Sequence, residues 1–571
     1  FINGCDEHLP HPGRYRVTHQ REQLESLGLT TGEVYYQYLQ QDTVRCYRSF
    51  IFFRCPWTEE IDRFVTMAKA LNKPVLYDVD DLVVDTFYTD MIRYLDTMDK
   101  AERAAYDENV RCMGRLLKLC DGAVTTTSCL AQELEHYVPQ VCLNRNTASM
   151  QMVQLSEEAL QRVDRDEASV KLGYFSGSMT HDDDIAIILP VLLELMKEYP
   201  NLQLHIVGEL DLPHQLEEHR KQVVVHPFTD WKKLPELIAS VDINLAPLTS
   251  NTFNRAKSEN KWVEAALVKV PTVASDIGAF HEMVENGVTG ILCRDLIQWK
   301  QALAALITQP EYRSLIGERA YHFCRQECVT VNTGIDLYRF LHRLQNKNIC
   351  FILPGFQVSG GVMVALQHCC ILQRAGWDVT LISISDTEEN RWYEFGGCRF
   401  PVLAFSKTVF AGCIHRCVAT MWSTVDPMKQ INGIEKRMYL VQNYEPEFYG
   451  PEDPLRLRAR STYGDQVNLN YITISEWCQQ WLWEQYGHVS GRARNGIDLS
   501  QFESRRRTPG EKVRILIEGD SSAEHKNVDE SFSIVSLLDP QRYEIWYLAY
   551  HGEPKEWYRV DRFLSAIPYD R

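Results

Sequence analysis

Short runs of apolar and β-branched residues alternate with longer stretches in which apolar positions recur every three or four residues, and the alternation continues almost throughout the chain. That pattern predicts parallel sheets joined by crossover helices. In the first block it predicts strands at 49–53, 75–78 and 122–126, with helices such as 58–71 between them. A polar stretch at 156–167 reads as a linker. The second block predicts strands at 171–175, 203–207, 223–225, 243–245, 272–274 and 290–293. With the helical segment 333–345 to close it, this is one complete doubly wound domain. At 346 the pattern restarts: a strand at 348–354, a glycine-containing loop at 355–361, a helix at 363–373, and strands at 378–384, 437–442 and 471–474. A basic, polar stretch at 504–512 leads into a strand at 513–518. The expected organisation is therefore 1–155, 168–345, 346–505 and 512–571, two lobes followed by two more of the same architecture.

Length agrees with that count, since 571 residues at roughly 150 per domain give about four domains. The composition, 45% hydrophobic and 24% charged, supports ordinary globular cores. A formal net charge of −17 argues against nucleic acid as a partner. The 17 cysteines lie scattered in apolar runs. The nearest thing to a metal motif, Cys413-Ile414-His415-Arg416-Cys417, is a poor zinc half-site, so reduced thiols in a cytosolic protein are expected. No spanning segment or signal peptide is evident. The chain opens on Phe1 and stops at Arg571 soon after a new strand-helix-strand pattern begins, which reads as a piece of a longer polypeptide whose last domain is incomplete.

The most informative stretch is Asn254-Arg255-Ala256-Lys257-Ser258-Glu259-Asn260-Lys261-Trp262-Val263-Glu264-Ala265-Ala266, followed by Pro271-Thr272-Val273-Ala274-Ser275. A loop entering a helix exposes backbone N–H groups and the positive end of the helix dipole. Here Lys257 and Lys261 add charge suited to a diphosphate, and Glu264 can accept two hydrogen bonds from a ribose diol. The plain alternative is a solvated basic loop with a surface glutamate.

These residues resemble the donor site of family-4 glycosyltransferases of the GT-B fold, in which a Glu-x7-Glu helix precedes a Pro-Val-Val-Ala-Ser strand. Gly173-Tyr174-Phe175-Ser176-Gly177-Ser178, Ile206-Val207-Gly208-Glu209, Asp242-Ile243-Asn244-Leu245-Ala246-Pro247 and Gly278-Ala279-Phe280-His281-Glu282-Met283-Val284 are similar to the same family in the same order. The likeness covers roughly 168–295. It implies an α/β fold of paired doubly wound, Rossmann-like GT-B domains in tandem, with the last domain truncated. It places Gly177, Ser178, Gly208, Lys257, Ser258 and Lys261 on the donor phosphates and Glu264 on the ribose. Two departures stand out: Ala256 replaces the first Glu of Glu-x7-Glu, and Lys269 replaces a usual Gly.

The first lobe would then face the acceptor. Arg14 and Arg16, in His11-Pro12-Gly13-Arg14-Tyr15-Arg16-Val17, suggest a clamp for a phosphate or carboxylate, or simply a solvated helix start. Asp78-Val79-Asp80-Asp81 follows a strand and places carboxylates where α/β sheets bind ligands. Asp78-Val79-Asp80 is also an Asp-x-Asp, the manganese signature of the other glycosyltransferase fold, GT-A, but Asp80 or Asp81 is rather expected to bind acceptor hydroxyls, with helix capping as a further competitor and no metal required. In the second unit Ser359, Gly360 and Gly361 mark a ligand-approach loop or a tight turn. Gln442-Asn443-Tyr444-Glu445-Pro446, Arg494-Asn495-Gly496-Ile497-Asp498 and His525-Lys526-Asn527 resemble rhamnosyltransferase-like members of the family, with Lys526 reaching a donor phosphate.

By resemblance the activity is hexosyl or rhamnosyl transfer, with retention, from a nucleotide-diphosphate sugar to a saccharide or lipid-linked glycan acceptor during surface polysaccharide synthesis. Asp80, Asp81, Lys257 and Lys261 would be the catalytic groups and no cofactor is implied. A cytoplasmic location with peripheral contact to the inner membrane face is expected. A nucleotide-sugar epimerase and an inactive glycan-binding scaffold are the other readings.

Overall fold

The computed structural model describes residues 1–5, 11–163, 169–176, 182–208, 214–345, 348–357, 359–385, 391–464, 468–497 and 510–565. The first sheet contains β1 (Ile2–Asn3), β2 (Val34–Tyr35), β3 (Phe50–Phe53), β4 (Val75–Val79), β5 (Gly122–Thr125) and β6 (Val141–Leu143). These run parallel in the order β2-β1-β3-β4-β5-β6. The second sheet contains β7 (Val170–Phe175), β8 (Leu202–Val207), β9 (Val223–His226), β10 (Ile243–Ala246), β11 (Thr272–Ser275) and β12 (Ile291–Cys293). Its order, β12-β11-β10-β7-β8-β9, is again fully parallel. Strand order reverses between β1 and β3 in one sheet and between β7 and β10 in the other, and such reversals open a crevice at the carboxyl ends of the strands.

The central strands are continuous apolar runs because helices cover both faces. All four residues of β3 and all five of β4 are buried. The intervening helix Glu59–Ala70 starts where Thr58 accepts from the Ile61 amide, and Glu59, Glu60 and Asp62 in its first turn complement the dipole.

Two connections differ from the sequence reading. Much of the expected linker at 156–167 is helical, in Met150–Arg162. Its polar appearance hides a buried face: Met152 and Val153 pack with Trp262, and Ala159 packs with Val207 and Val241. This helix therefore belongs to the second sheet's core. The helix Ile335–Gln345, expected to close the second lobe, instead places Leu337, Phe340, Leu341 and Leu344 against Ile51, Leu76 and Val124 of the first sheet. The chain thus crosses to the second lobe and returns.

The third sheet holds β13 (Asn348–Leu353), β14 (Asp378–Ser383), β15 (Arg391–Phe395), β16 (Cys398–Ala404), β17 (Ile414–Ala419), β18 (Ile434–Val441), β19 (Leu469–Thr473) and β20 (Ser490–Arg492), in the order β15-β16-β14-β13-β17-β18-β19-β20. The fourth holds β21 (Val513–Glu518), β22 (Tyr543–Ala549) and β23 (Arg562–Ser565), all parallel. The fold class is thus α/β with Rossmann-like, largely parallel sheets in tandem. By packing, Phe1–Cys350, Leu372–Ile382 and Asp386–His415 form one compact unit, and Phe351–Ile371, Ser383–Ser385 and Arg416–Arg571 form another. The first two sheets and the crevice between them lie within one unit. All 17 cysteines are free thiols. Among the described residues no helix is long and apolar enough to cross a membrane.

Candidate functional site

The lysine loop is held from within the second lobe. Past β10, Asn251 caps the short helix Thr252–Arg255 by accepting from the Asn254 amide at 2.7 Å. Asp184, almost fully buried, accepts from the Thr249 amide at 2.9 Å and from Asn254 Nδ2 at 3.1 Å. Its other oxygen lies 3.9 Å from Lys257 Nζ. Lys261 opens the next helix, Asn260–Ala266. Its ammonium nitrogen is buried, has no hydrogen-bond partner among the described residues, and sits 4.7 Å from the Tyr174 ring centroid on β7. Burial lowers its pKa to about 8. A buried cation with no acceptor is costly and requires an explanation.

Lys257, Ser258 and Lys261 line a cavity of about 220 Å³ together with Asp80 and Asp81 from the first lobe. The structure therefore brings together the four residues expected to carry catalysis. Asp80 and Asp81 are held by Arg54, whose Nε donates to Asp80 Oδ1 and Nη2 to Asp81 Oδ2, each at 2.6 Å. Among the described residues no group of three or more His, Cys, Asp or Glu is placed to hold a metal ion.

Glu264, expected to face a ribose, is engaged by the first lobe. Tyr15 Oη donates to its Oε1 at 2.5 Å, and Arg14 Nη2 lies 3.5 Å away. The Arg14 guanidinium also covers the Tyr15 ring at 4.6 Å and the Trp231 ring at 4.4 Å, with Nε and Nη1 buried and without a hydrogen bond among the described residues. Arg14 thus lies against Glu264. Arg16 requires a correction. It is wholly buried, its Nε and Nη2 pair with Asp78 at 2.8 and 2.9 Å, and its Nη1 donates to the Asn144 carbonyl and Asn146 Oδ1. With all three nitrogens used inside the lobe, it has no reach toward an acceptor. Asp78 has both oxygens occupied by the same contact and is not free to chelate a cation with Asp80.

Ala256 is fully buried and its carbonyl accepts from Thr127 Oγ1 at 3.0 Å. A longer side chain would displace packed neighbours. Lys269, in place of the usual Gly, has φ +59, the left-handed region that glycine adopts freely, and its Nζ pairs with Glu318 at 2.7 Å. Gly208 has φ +104, and a Cβ there would lie 2.1 Å from the Ser176 carbonyl oxygen, so close backbone approach between β7 and β8 accounts for this glycine. Gly177 and Ser178 lie outside the described residues.

In the other unit Ser359 accepts from the Val362 amide at 3.4 Å and Gly360–Arg374 is helical. A Cβ on Gly360 would meet nothing, whereas one on Gly361 would lie 3.3 Å from Gln442 Nε2. Gln442 bonds the Gly361 and Thr420 carbonyls. Lys526 is exposed at the start of the helix Val528–Val535.

Sequence reasoning missed Arg54, Tyr15, Asp184 and Glu259. Glu259 is 1% exposed with Oε2 unbonded and Arg145 Nη1 at 3.6 Å, and burial raises its pKa to about 7. The one local signal for Arg54 is a charged residue ending the apolar run Phe50–Phe53.

Residues 171–309 match the family model described as "Glycosyl transferases group 1". No curated protein matches the chain by sequence. Among solved structures, the chain is similar to Anabaena Alr3699/HepE in complex with UDP and glucose, at 15% identity over 56% of this chain and 88% of that one, with a TM-score of 0.39. It is similar to sucrose-phosphate synthase from Thermosynechococcus elongatus at 15% identity, 52% and 74% coverage and a TM-score of 0.35. Similarity extends to a mutant of S. aureus TarM in complex with fondaparinux, alpha-GlcNAc-glycerol and UDP, at 12% identity, 48% and 51% coverage and a TM-score of 0.33.

Proposed function

We propose that the crevice between the first two sheets is the active site of a glycosyltransferase that uses a nucleotide-diphosphate sugar. The observation that carries this reading is the buried ammonium of Lys261, without a hydrogen-bond partner among the described residues, in a cavity it lines with Lys257 and the carboxylate pair Asp80 and Asp81. The match of residues 171–309 to group 1 glycosyl transferases supports it. In the reaction the anomeric C–O bond to the diphosphate breaks and the acceptor hydroxyl oxygen bonds the anomeric carbon. The acceptor proton passes to the departing diphosphate. Lys257 and Lys261 stabilise the charge that develops there, and preorganised electrostatics of this kind is the largest expected catalytic contribution. Asp80 and Asp81 receive the acceptor hydroxyls.

The finer reading, also proposed, is retaining hexosyl or rhamnosyl transfer to a saccharide or lipid-linked glycan in surface polysaccharide synthesis. Peripheral membrane contact goes with it: exposed Leu457 and Trp483 in the second unit, with the neighbouring Arg458 and Arg460 on the surface, give that contact a physical basis.

The test is donor consumption with and without a saccharide acceptor. A transferase consumes nucleotide sugar faster when acceptor is present. An epimerase would interconvert the donor without acceptor, and a glycan-binding scaffold would do neither. Turnover should persist in EDTA, and loss restored by manganese would contradict the assignment of phosphate charge to the lysines.

A further inference from the structure

Arg54 follows β3 at the point where the strand order of the first sheet reverses. Its φ of +46 lies in the left-handed region, where the Cβ of a non-glycine residue crowds the following carbonyl oxygen. Three contacts impose that conformation. The Arg54 amide donates to the Asp78 carbonyl at 3.0 Å, the Gly4 amide donates to the Phe53 carbonyl at 2.8 Å, and a Cβ on Gly4 would lie 2.4 Å from the Arg54 carbonyl oxygen. Strain held in place by its surroundings at a strand-order reversal is a pointer to function.

The side chain shows what the conformation achieves. One guanidinium reaches two separate carboxylates, spending Nε on Asp80 and Nη2 on Asp81. Among the described residues Nη1 of Arg54, Oδ2 of Asp80 and Oδ1 of Asp81 take no hydrogen bond, and all three side chains are partly exposed. Both carboxylates line the cavity they share with Lys257 and Lys261. An unneutralised pair of neighbouring aspartates would either repel one another or collect a divalent cation. Here an arginine fills the place of that cation. With one positive and two negative charges the cluster repels anions. At the cavity the two carboxylates keep oxygens able to accept from hydroxyl groups.

We propose that Arg54 is a positioning residue, the built-in counter-cation that aims Asp80 and Asp81 at a neutral polyhydroxyl acceptor. This rests on the glycosyltransferase reading for the identity of the acceptor and not for the counter-cation role.

The experiment compares the full chain with Arg54→Gln and Arg54→Lys, folding being checked by thermal melt. Arg54→Gln should raise the acceptor KM at least tenfold and lower kcat less, while nucleoside diphosphate affinity stays within twofold. Arg54→Lys should recover part of the loss. Asp80→Asn and Asp81→Asn in the unaltered background should reproduce the KM effect, which keeps the claim testable if the Arg54 variants fail to fold. Free Mn²⁺, followed by electron paramagnetic resonance, should be taken up by Arg54→Gln and neither by the unaltered chain nor by Arg54→Gln with Asp80→Asn. An acceptor KM unchanged within twofold, or Mn²⁺ bound through Asp80 with Arg54 in place, overturns the proposal. If the unaltered chain transfers no sugar, the glycosyltransferase reading fails. The Mn²⁺ comparison then decides the counter-cation role by itself, and absence of uptake by Arg54→Gln overturns it.

Discussion

Arg16 with Asp78 and Arg54 with Asp80 and Asp81 are built from the same residue types at the same sheet edge, with carboxylates within four positions of each other. In the first pair both side chains have 0% exposure, the bidentate contact is complete, and Asn144, Asn146 and Gln20 satisfy what remains. In the second, one guanidinium is shared between two carboxylates, exposures are 21%, 15% and 31%, and both carboxylates line a cavity. The contrast separates structure from site: saturation of hydrogen-bonding capacity marks a group that holds the lobe together, and leftover capacity at a cavity wall marks a group able to hold a ligand. The second lobe shows the same division: Asp184 Oδ1 accepts three hydrogen bonds from the loop it organises, while among the described residues Lys261 Nζ has no acceptor.

The largest effect should come from breaking the sealed pair. Arg16→Met leaves a buried aspartate without its partner, and should cost about 3–5 kcal/mol of stability in denaturant unfolding. Adding Asp78→Leu should return much of that loss. A cost for Arg16→Met below about 1 kcal/mol would place the pair among surface contacts and remove the contrast.

Lys261→Met should leave the fold intact and weaken nucleoside diphosphate binding by about 1.5–3 kcal/mol, the range for hydrogen bonds to charged groups. The pH dependence sharpens this. Burial holds the Lys261 pKa at about 8, below its ordinary value, so the ammonium that binds phosphate is lost as pH rises past 8. Affinity should fall there in the unaltered chain and stay flat in Lys261→Met, as read by calorimetric titration across pH 7–9.

Two buried carboxylates extend the comparison to stability. Burial raises Glu259 and Glu445 each to about 7. A carboxyl with a raised pKa binds its proton more tightly when folded, so its contribution is present below the unfolded value near 4.5 and is lost as pH rises through about 7. Glu259→Gln should therefore flatten the decline of unfolding free energy between pH 5 and 8, gaining about 1–3 kcal/mol at the upper end. An unchanged slope would mean that Arg145 neutralises Glu259 more fully than a 3.6 Å contact implies.

The smallest effect belongs to the open pair. Arg54→Gln should change stability by no more than about 1 kcal/mol, because partly exposed ion pairs contribute little. A loss comparable to that of Arg16→Met would make Arg54 a second structural arginine.

Periodicity located the strands of the second sheet within a residue or two because parallel strands covered on both faces are unbroken apolar runs. It missed β6, with only Cys142 buried among its three residues, and β22, where buried and half-buried positions alternate. The helix Met150–Arg162 looked like a linker because its exposed face carries Gln151, Gln154 and Gln161, while burial falls on Met152, Val153, Ser156 and Ala159. In the site, Lys257, Lys261 and the aspartates were legible from local motifs. Which arginine faces ligand was not. Arg14 and Arg16 sit in one turn of π-helix, and only the fold, by bringing up Asp78 from 62 residues away, turns Arg16 inward. Arg54 acquires meaning from partners 26 and 27 residues distant, a separation that no local pattern encodes.

The central claim, that the cavity between the first two sheets is a diphosphate site, is tested most directly by calorimetric titration of the full chain with a panel of nucleoside diphosphates and their sugars. The titrations would be run on the unaltered protein, on Lys257→Met with Lys261→Met, and on Lys526→Met. Saturable binding to the unaltered chain, weakened at least tenfold by the paired lysine change and unaffected by Lys526→Met, is the predicted result. Binding that survives the loss of Lys257 and Lys261 but falls with Lys526→Met would contradict the account and move the site to the second unit.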